Sequence, residues 1–188
     1  MTMKRSALFY LHRREGASFI EHRSWELPAF FLNPEQEAAA VRKTVGLADL
    51  SYLCKFDLRK EPQHNGWCLG ANHYWMIGEP PLDPPPGAID VSSVYTSLRL
   101  AGPRSREVLN KVTSLDVSNG VLPNLCTAQA SVAHARTVVL RQDIGSIPAF
   151  HLLIGRDYGE SCWESIVHAG HEFHLCPFGL TALGLLQG

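Results

Sequence analysis

The run from Ile89 to Leu115, IDVSSVYTSLRLAGPRSREVLNKVTSL, decides the fold class. Ile89 to Ala101 has strand composition and stops at Gly102-Pro103. Pro103, with its fixed φ and missing N–H, suits the first position of a helix that runs to about Leu115 with Val108, Leu109, Val112 and Leu115 turned inward. Three short apolar runs follow, Ser131 to Ala135, Thr137 to Gln142 and Phe150 to Ile154, the last two separated by Gly, Ser and Pro. Asp157 with Glu160 forms a capping-box pattern for a second helix, which presents Tyr158, Cys162, Trp163, Ile166 and Val167 on one face and closes at Gly170. Strand, helix, strand, strand, strand, helix predicts an α+β domain: an antiparallel sheet with helices on one face, in the split βαβ, ferredoxin-like order.

Upstream, Asn33-Pro34 announces a helix with Asn33 as N-cap and Gln36 able to complete a capping box. Ala38, Val41 and Val45 recur at helical spacing, and Gly46 supplies a left-handed stop. Leu47 to Leu50 and Leu53 to Leu58 read as short strands, and Trp67 to Ile77 as an aromatic-rich strand. The run from Glu79 to Gly87, EPPLDPPPG, cannot donate a sheet ladder and reads as an extended connector. The expected organisation is an N-terminal segment over 1–78, a proline-rich connector over 79–87 and an α+β domain over 88–188, together one compact unit. Asp49-Leu50-Ser51 and Asp90-Val91-Ser92 echo each other, each ahead of a strand.

The balance of 17 basic against 18 acidic side chains leaves no electrostatic footprint for nucleic acid or an anionic membrane. With 45% hydrophobic residues the chain can fill a core, and it contains no uninterrupted apolar window long enough to span a bilayer. Met1 to Arg14 is basic and mixed, and the five cysteines, Cys54, Cys68, Cys126, Cys162 and Cys176, are odd in number and irregular in spacing. Reduced thiols in a cytoplasmic protein are the expectation.

His168, His171, His174 and Cys176 form the most ligand-like cluster, but their spacing does not place two imidazoles one turn apart on a helix, and no metal site is expected. No nucleophile elbow or phosphate-cradling glycine loop occurs. The flat rings of Trp67 to Trp75, Phe30 and Phe31 could stack a heteroaromatic ligand or fill the core.

Ala7-Leu8-Phe9-Tyr10-Leu11-His12, Gly16-Ala17, Trp25-Glu26-Leu27-Pro28, Glu37, Ala40-Val41-Arg42, Val45-Gly46-Leu47 and Asp49-Leu50-Ser51 match in order a known N-terminal signature. Leu100-Ala101-Gly102-Pro103 with Arg106, Val108, Leu109, Leu115 and Asp116, then Trp163, Ala169-Gly170 and Cys176 to Leu183, form a second matching block. The chain thus resembles the glycine-cleavage T-protein family, the folate-dependent aminomethyltransferases, over about three quarters of its length, with Trp67 to Gly87 outside the match.

That resemblance implies the family's folate-binding-domain fold, tetrahydrofolate as the cofactor, and Trp25, Tyr95 and Arg136 as candidate folate contacts. The family's catalytic Asp follows a Gly-Gly-x-x-Asp-Asp strand; the nearest stretch here is Ser131-Val132-Ala133-His134-Ala135-Arg136, which leaves His134 as the candidate catalytic residue and no carboxylate. A short form with this outline is similar to the gamma subunit of heterotetrameric sarcosine oxidase. It implies a larger partner subunit or self-association, with Trp67 to Ile77 as the docking segment. The alternative is an active aminomethyltransferase of a glycine-cleavage-type system.

Overall fold

The structure is a computed structural model that describes residues 3–60, 62 and 66–188. The first third comprises β1 (Lys4–Arg5), α1 (Phe9–Arg14), β2 (Ser18–His22), β3 (Trp25–Phe30), α2 (Pro34–Lys43), β4 (Gly46–Asp49) and β5 (Cys54–Leu58). A hairpin of β6 (Gly66–Gly70) and β7 (His73–Gly78) follows, then β8 (Ile89–Asp90), β9 (Tyr95–Ala101) and α3 (Ser105–Val112). The remainder is β10 (Thr127–Val132), β11 (Ala135–Arg141), β12 (Ala149–Gly155), α4 (Gly159–Gly170), β13 (Cys176–Pro177) and α5 (Leu180–Gln187). Among the described residues no helix is long and apolar enough to cross a membrane.

The central element is a six-stranded sheet in the order β10-β11-β12-β9-β4-β13, antiparallel except for the β4–β13 pair. Because strand side chains alternate with period two, β9 and β12 send one set to each face. Leu98, Leu100, Phe150, Leu152 and Ile154 point into the main core, where α3 contributes Val108 and Leu109, α4 contributes Cys162, Trp163 and Ile166, and α1 contributes Leu11. Elements β9-α3-β10-β11-β12-α4 therefore follow the expected order.

The opposite face differs from a sheet covered by helices on one side only. Ala48, Ala101 and Ala149 meet α2 and α5 there, and Val138, Leu140 and Leu153 meet Trp75 of a second sheet, ordered β6-β7-β5-β8. Strands apolar in both registers need two cover layers, and β4, β9, β11 and β12 are buried almost throughout. Strand β4, from the first third of the chain, pairs with β9 in the central sheet.

Local chemistry sets the boundaries. Asn33 Oδ1 accepts from Gln36 N at 3.1 Å and caps α2 as expected. Gly46 does not end that helix, whose C-cap is Thr44; it lies in β4, where a Cβ would come within 2.5 Å of Val41 Cγ2 and 2.7 Å of Phe178 Cδ1. Buried Glu37 ties three segments: its Oε1 accepts from Phe31 N (2.6 Å) and Leu32 N (2.9 Å), and its Oε2 from Gly179 N (3.0 Å) at the start of α5.

Three expected strands are redrawn by turns. Trp67 to Ile77 is a hairpin with Asn72 at φ 53°, and Ser131 to Ala135 spans a two-residue turn with Ala133 at φ 48° and His134 at φ 66°. Ile89 to Ala101 is broken where Asp90 Oδ1 accepts from Ser92 N at 2.8 Å, which sends β8 to pair with β5. At the second helix, Tyr158 is not on the inward face: a 3-10 turn over Arg156–Tyr158 precedes α4, no side chain caps it, and Tyr158 is 58% exposed.

Candidate functional site

Two polar assemblies lie among these apolar layers. In the first, β4 carries Asp49 to the sheet edge, where its carboxylate meets His12 of α1 (Nε2 to Oδ2, 3.3 Å) and accepts from Ser51 Oγ (2.5 Å) and Ser51 N (2.9 Å). The His12 contact has ion-pair distance without hydrogen-bond alignment. Ser51 Oγ in turn accepts from Ser97 N at 3.2 Å. Burial opposes charge on both partners, yet Asp49 and Glu15 lift the His12 pKa above the usual imidazole value. Burial likewise works against the Asp49 carboxylate, but His12, Ser51 and Ser6 hold its pKa below the usual range.

Lys55 sits beside this pair, fully buried, and donates to Ser51 O (3.0 Å), Leu53 O (2.9 Å) and Ser92 O (3.4 Å). The echo between Asp49-Leu50-Ser51 and Asp90-Val91-Ser92 thus has a structural meaning: each is an Asx turn, and each delivers its Ser carbonyl to the same ammonium group. Desolvation pulls the Lys55 pKa down to about 8, with Asp49 opposing. The group is closed over.

The second assembly is open. Strand register sets Ala48, Arg99, His151 and Leu140 in one row across β4, β9, β12 and β11. Arg99, His151 and Leu140 of this row line a cavity of about 640 Å³, whose lining also includes Tyr52, Trp67, Ile77, Glu79, Asp143, Ile144 and Leu183. Arg99, only 4% exposed, gives one hydrogen bond from Nη2 to Gln142 O (2.5 Å); its Nε and Nη1 have no partner among the described residues. Burial lowers the Arg99 pKa to about 10, against the pull of Asp143. His151, 7% exposed, is held neutral by burial and by the charges of Arg99 and Lys55, and its Nδ1 is also unpartnered among the described residues.

The acids around the cavity are already engaged. Asp143 takes a bidentate pair from Arg141 (Nε to Oδ1 3.1 Å, Nη2 to Oδ2 2.8 Å) and accepts from Ala149 N at 3.1 Å. Burial would raise its pKa, but Arg141 holds it below the usual carboxylate range. At the mouth, Tyr52 donates to Glu79 Oε1, and His22 Nε2 lies 3.4 Å from Glu79 Oε2.

Of the residues singled out from sequence, Trp67, read as able to stack a ring, lines this cavity, whereas the candidate site residues Trp25, Tyr95, Arg136 and His134 do not. Trp25 is buried in β3 among Leu27, Ala38 and Val41; Tyr95 packs edge-on to Trp75 at 4.7 Å; exposed Arg136 reaches Gln129 Oε1 at 3.4 Å. His134 is exposed on the β10–β11 turn, close to Arg136 in sequence and not joined to the other two. His168, His171, His174 and Cys176 do not converge, and no metal-holding group of His, Cys, Asp or Glu occurs among the described residues. The aromatic segment expected to face a partner instead completes the chain's own core: Trp75 is 2% exposed and packs with Val138, Leu140 and Leu153.

The GCVT N-terminal domain family model matches residues 72–187. Curated aminomethyltransferases from Halothermothrix orenii and Bacillus subtilis are 23% and 22% identical to the chain, each alignment covering 98% of this chain and 64% of the relative. The one from Geobacillus thermodenitrificans is 25% identical, with coverage of 98% and 63%. The chain therefore spans less than two thirds of the length of these relatives, and Trp67 to Gly87, expected to fall outside the likeness, lies largely within it.

Among solved structures, glycine cleavage system aminomethyltransferase T from Bartonella henselae superimposes with a TM-score of 0.78 at 16% identity, covering 99% of this chain and 62% of that one. A chain of heterotetrameric sarcosine oxidase from Corynebacterium sp. U-96 gives a TM-score of 0.65 at 14% identity, covering 90% of this chain and 96% of that one. At these identities the two structures establish the shared α+β fold. The family match extends from the β6–β7 turn to the last turn of α5 and takes in every strand of the central sheet except β4, including β9 and β12 that carry Arg99 and His151, so the chain belongs to the GCVT N-terminal domain family.

Proposed function

We propose that this chain is a short aminomethyltransferase-like protein that serves as a small, gamma-type subunit of a folate-linked amine-oxidising assembly. The observation that carries the reading is coverage: the fold accounts for 96% of one sarcosine oxidase chain, against 62% of the Bartonella aminomethyltransferase. The turn that would present the family's catalytic carboxylate offers only the exposed His134, so we read the chain as lacking aminomethyl transfer of its own. We also read β9-α3-β10-β11-β12-α4 as the split βαβ unit of a folate-binding-type domain, and the protein as cytoplasmic.

The cavity supports tetrahydrofolate as the ligand of this reading. A flat ring suits the Trp67 and Tyr52 walls, and the buried positive charge of Arg99 at the cavity floor favours a ligand that carries a carboxylate. When bound, tetrahydrofolate would accept a one-carbon unit; Trp67 and Tyr52 would hold the ring and Arg99 the acid. Trp25, Tyr95 and Arg136 do not share this cavity, and a folate contact from any of them would require a second surface.

The alternative, an active aminomethyltransferase, is favoured by the presence of an open cavity with charged and polar groups in its lining. Against it, Arg141 holds the Asp143 carboxylate low, whereas a carboxylate poised for proton transfer would be pushed up. Coexpression with the products of neighbouring genes, followed by affinity purification and sedimentation, tests the subunit reading. A stoichiometric complex is expected. A protein that stays free of partners and turns over an aminomethylated lipoyl carrier with tetrahydrofolate would overturn it.

A further inference from the structure

Between α3 and β10 the chain makes an exposed turn at Ser118-Asn119-Gly120-Val121. Val121 N and Leu122 N both donate to Ser118 O, at 3.3 and 2.8 Å, which fixes the backbone around the Asn-Gly peptide. The Asn119 side chain is held from two directions. Its Oδ1 accepts from Arg106 Nη2 at 2.5 Å and from Arg141 Nη1 at 2.6 Å. Arg141 is a preset donor, because its Nε and Nη2 also hold Asp143 and its Nη1 also donates to Leu122 O at 2.8 Å. Two guanidinium groups on one oxygen suit a carboxylate better than a neutral amide.

The neighbouring nitrogen is free to react. Among the described residues neither Gly120 N nor Asn119 Nδ2 gives a hydrogen bond, and both residues are exposed to water. Glycine adds no side chain beside the Asn119 amide, and a Cβ at Gly120 would meet no atom within 4 Å.

We propose that Asn119 is a site of deamidation, in which Gly120 N attacks Asn119 Cγ while Arg106 and Arg141 stabilise the negative charge that forms on Oδ1. Hydroxide removes the Gly120 amide proton as the N–Cγ bond forms. The Cγ–Nδ2 bond then breaks, ammonia leaves with a proton from water, and a five-membered succinimide remains. Water opens that ring at either carbonyl, giving aspartate or isoaspartate. Nothing is oxidised or reduced; the net change is one water consumed and one ammonia released. Donors fixed where an oxyanion develops lower the barrier, and the aspartate product gains charge-assisted bonds that the amide does not make. Arg141 then bridges two carboxylates, the new one and Asp143 in the cavity lining. The inference is independent of the subunit and folate readings.

The test incubates the full chain in mildly alkaline buffer, folded or unfolded in urea, and maps peptides by mass spectrometry, reading the exchange of NH2 for OH and separating aspartate from isoaspartate. Asn65-Gly66, the other Asn-Gly pair of the sequence, calibrates the unfolded rate. Asn119 should convert in the folded chain at least as fast as in urea. Arg106→Met should slow the folded reaction by at least about threefold and leave the rate in urea unchanged. Slower conversion of Asn119 in the folded chain than in urea, or a folded rate that Arg106→Met does not alter, would overturn the proposal. If Arg106→Met does not fold, the folded and unfolded rates of the unaltered chain decide alone.

Discussion

Around Lys55 three backbone carbonyls receive the ammonium group, whereas around Arg99 a single carbonyl meets a guanidinium with five donors. Both cations are buried, and both lie close enough to His151 to depress its pKa. The difference lies in what the chain supplies to them. Two Asx turns, at Asp49 and Asp90, bend the backbone toward Lys55, and His12 and Ser51 complete the ring of contacts around Asp49. Among the described residues nothing comparable is aimed at Arg99, which lies buried in the lining of a cavity. A buried charge whose neighbours are all provided by the protein holds the fold together. One whose donors are left over is suited to something that arrives from outside.

The largest expected effect comes from breaking the closed assembly. Asp49→Ala removes the shared acceptor of His12 and Ser51 and the anion nearest Lys55, leaving two buried groups uncompensated. Removing one partner of a buried ionic contact typically destabilises by about 3–5 kcal/mol. In urea denaturation the midpoint should fall accordingly, with Tm lower by on the order of 10 °C for a chain of this size. A change within error would mean that the Lys55 and His12 contacts do not hold this edge of the sheet.

How much of this contrast was legible in the sequence follows the range of the interactions. The α2 cap is local, Asn33 to Gln36, and could be read. The repeated Asp-x-Ser was visible as a pattern, but its common target is a lysine 37 residues from the second Ser in sequence. The turns at Asn72 and at Ala133-His134 were hidden because left-handed residues there are not glycine. The cavity could not be seen, since it arises from a six-stranded register that brings Arg99 opposite His151. A signal existed nonetheless: Ser97 and Arg99 recur at period two within a strand whose other face is Leu98 and Leu100, and such polar alternation in an apolar strand marks one face as special.

A second, smaller effect separates the two histidines by sign. His12 has a raised folded pKa, so its contribution is fully present below the unfolded value of 6.5 and is lost as pH rises through the folded value. His151 has a depressed folded pKa and stays neutral, so acidification below 6.5 protonates the unfolded chain preferentially and stability falls. The two trends partly cancel in the unaltered protein. His151→Asn should remove the second, so its stability relative to the parent should improve on going from about pH 7.5 to about pH 5.5, by about 1 kcal/mol, because one group contributes at most about 1.4 kcal/mol per pH unit. Asp49, with its lowered pKa, loses its contribution only at more acidic pH and does not interfere. A constant difference across that range would mean that His151 titrates freely and is not walled in by Arg99 and Lys55.

The smallest effect is expected where the two regions differ most. Arg99→Met keeps the length and most of the volume of the side chain and removes a charge that burial penalises and that no described carboxylate pairs within 4 Å. The loss of the bond to Gln142 O is worth about 1 kcal/mol, and the relief of desolvation offsets it. Ligand-free stability should therefore match the parent within about 1 kcal/mol by urea denaturation, in contrast to Asp49→Ala. A fall of more than about 2 kcal/mol would place Arg99 with Lys55 as part of the scaffold. Stability within about 1 kcal/mol of the parent would set Arg99 apart from Lys55, as a buried charge on the cavity floor that the scaffold does not need.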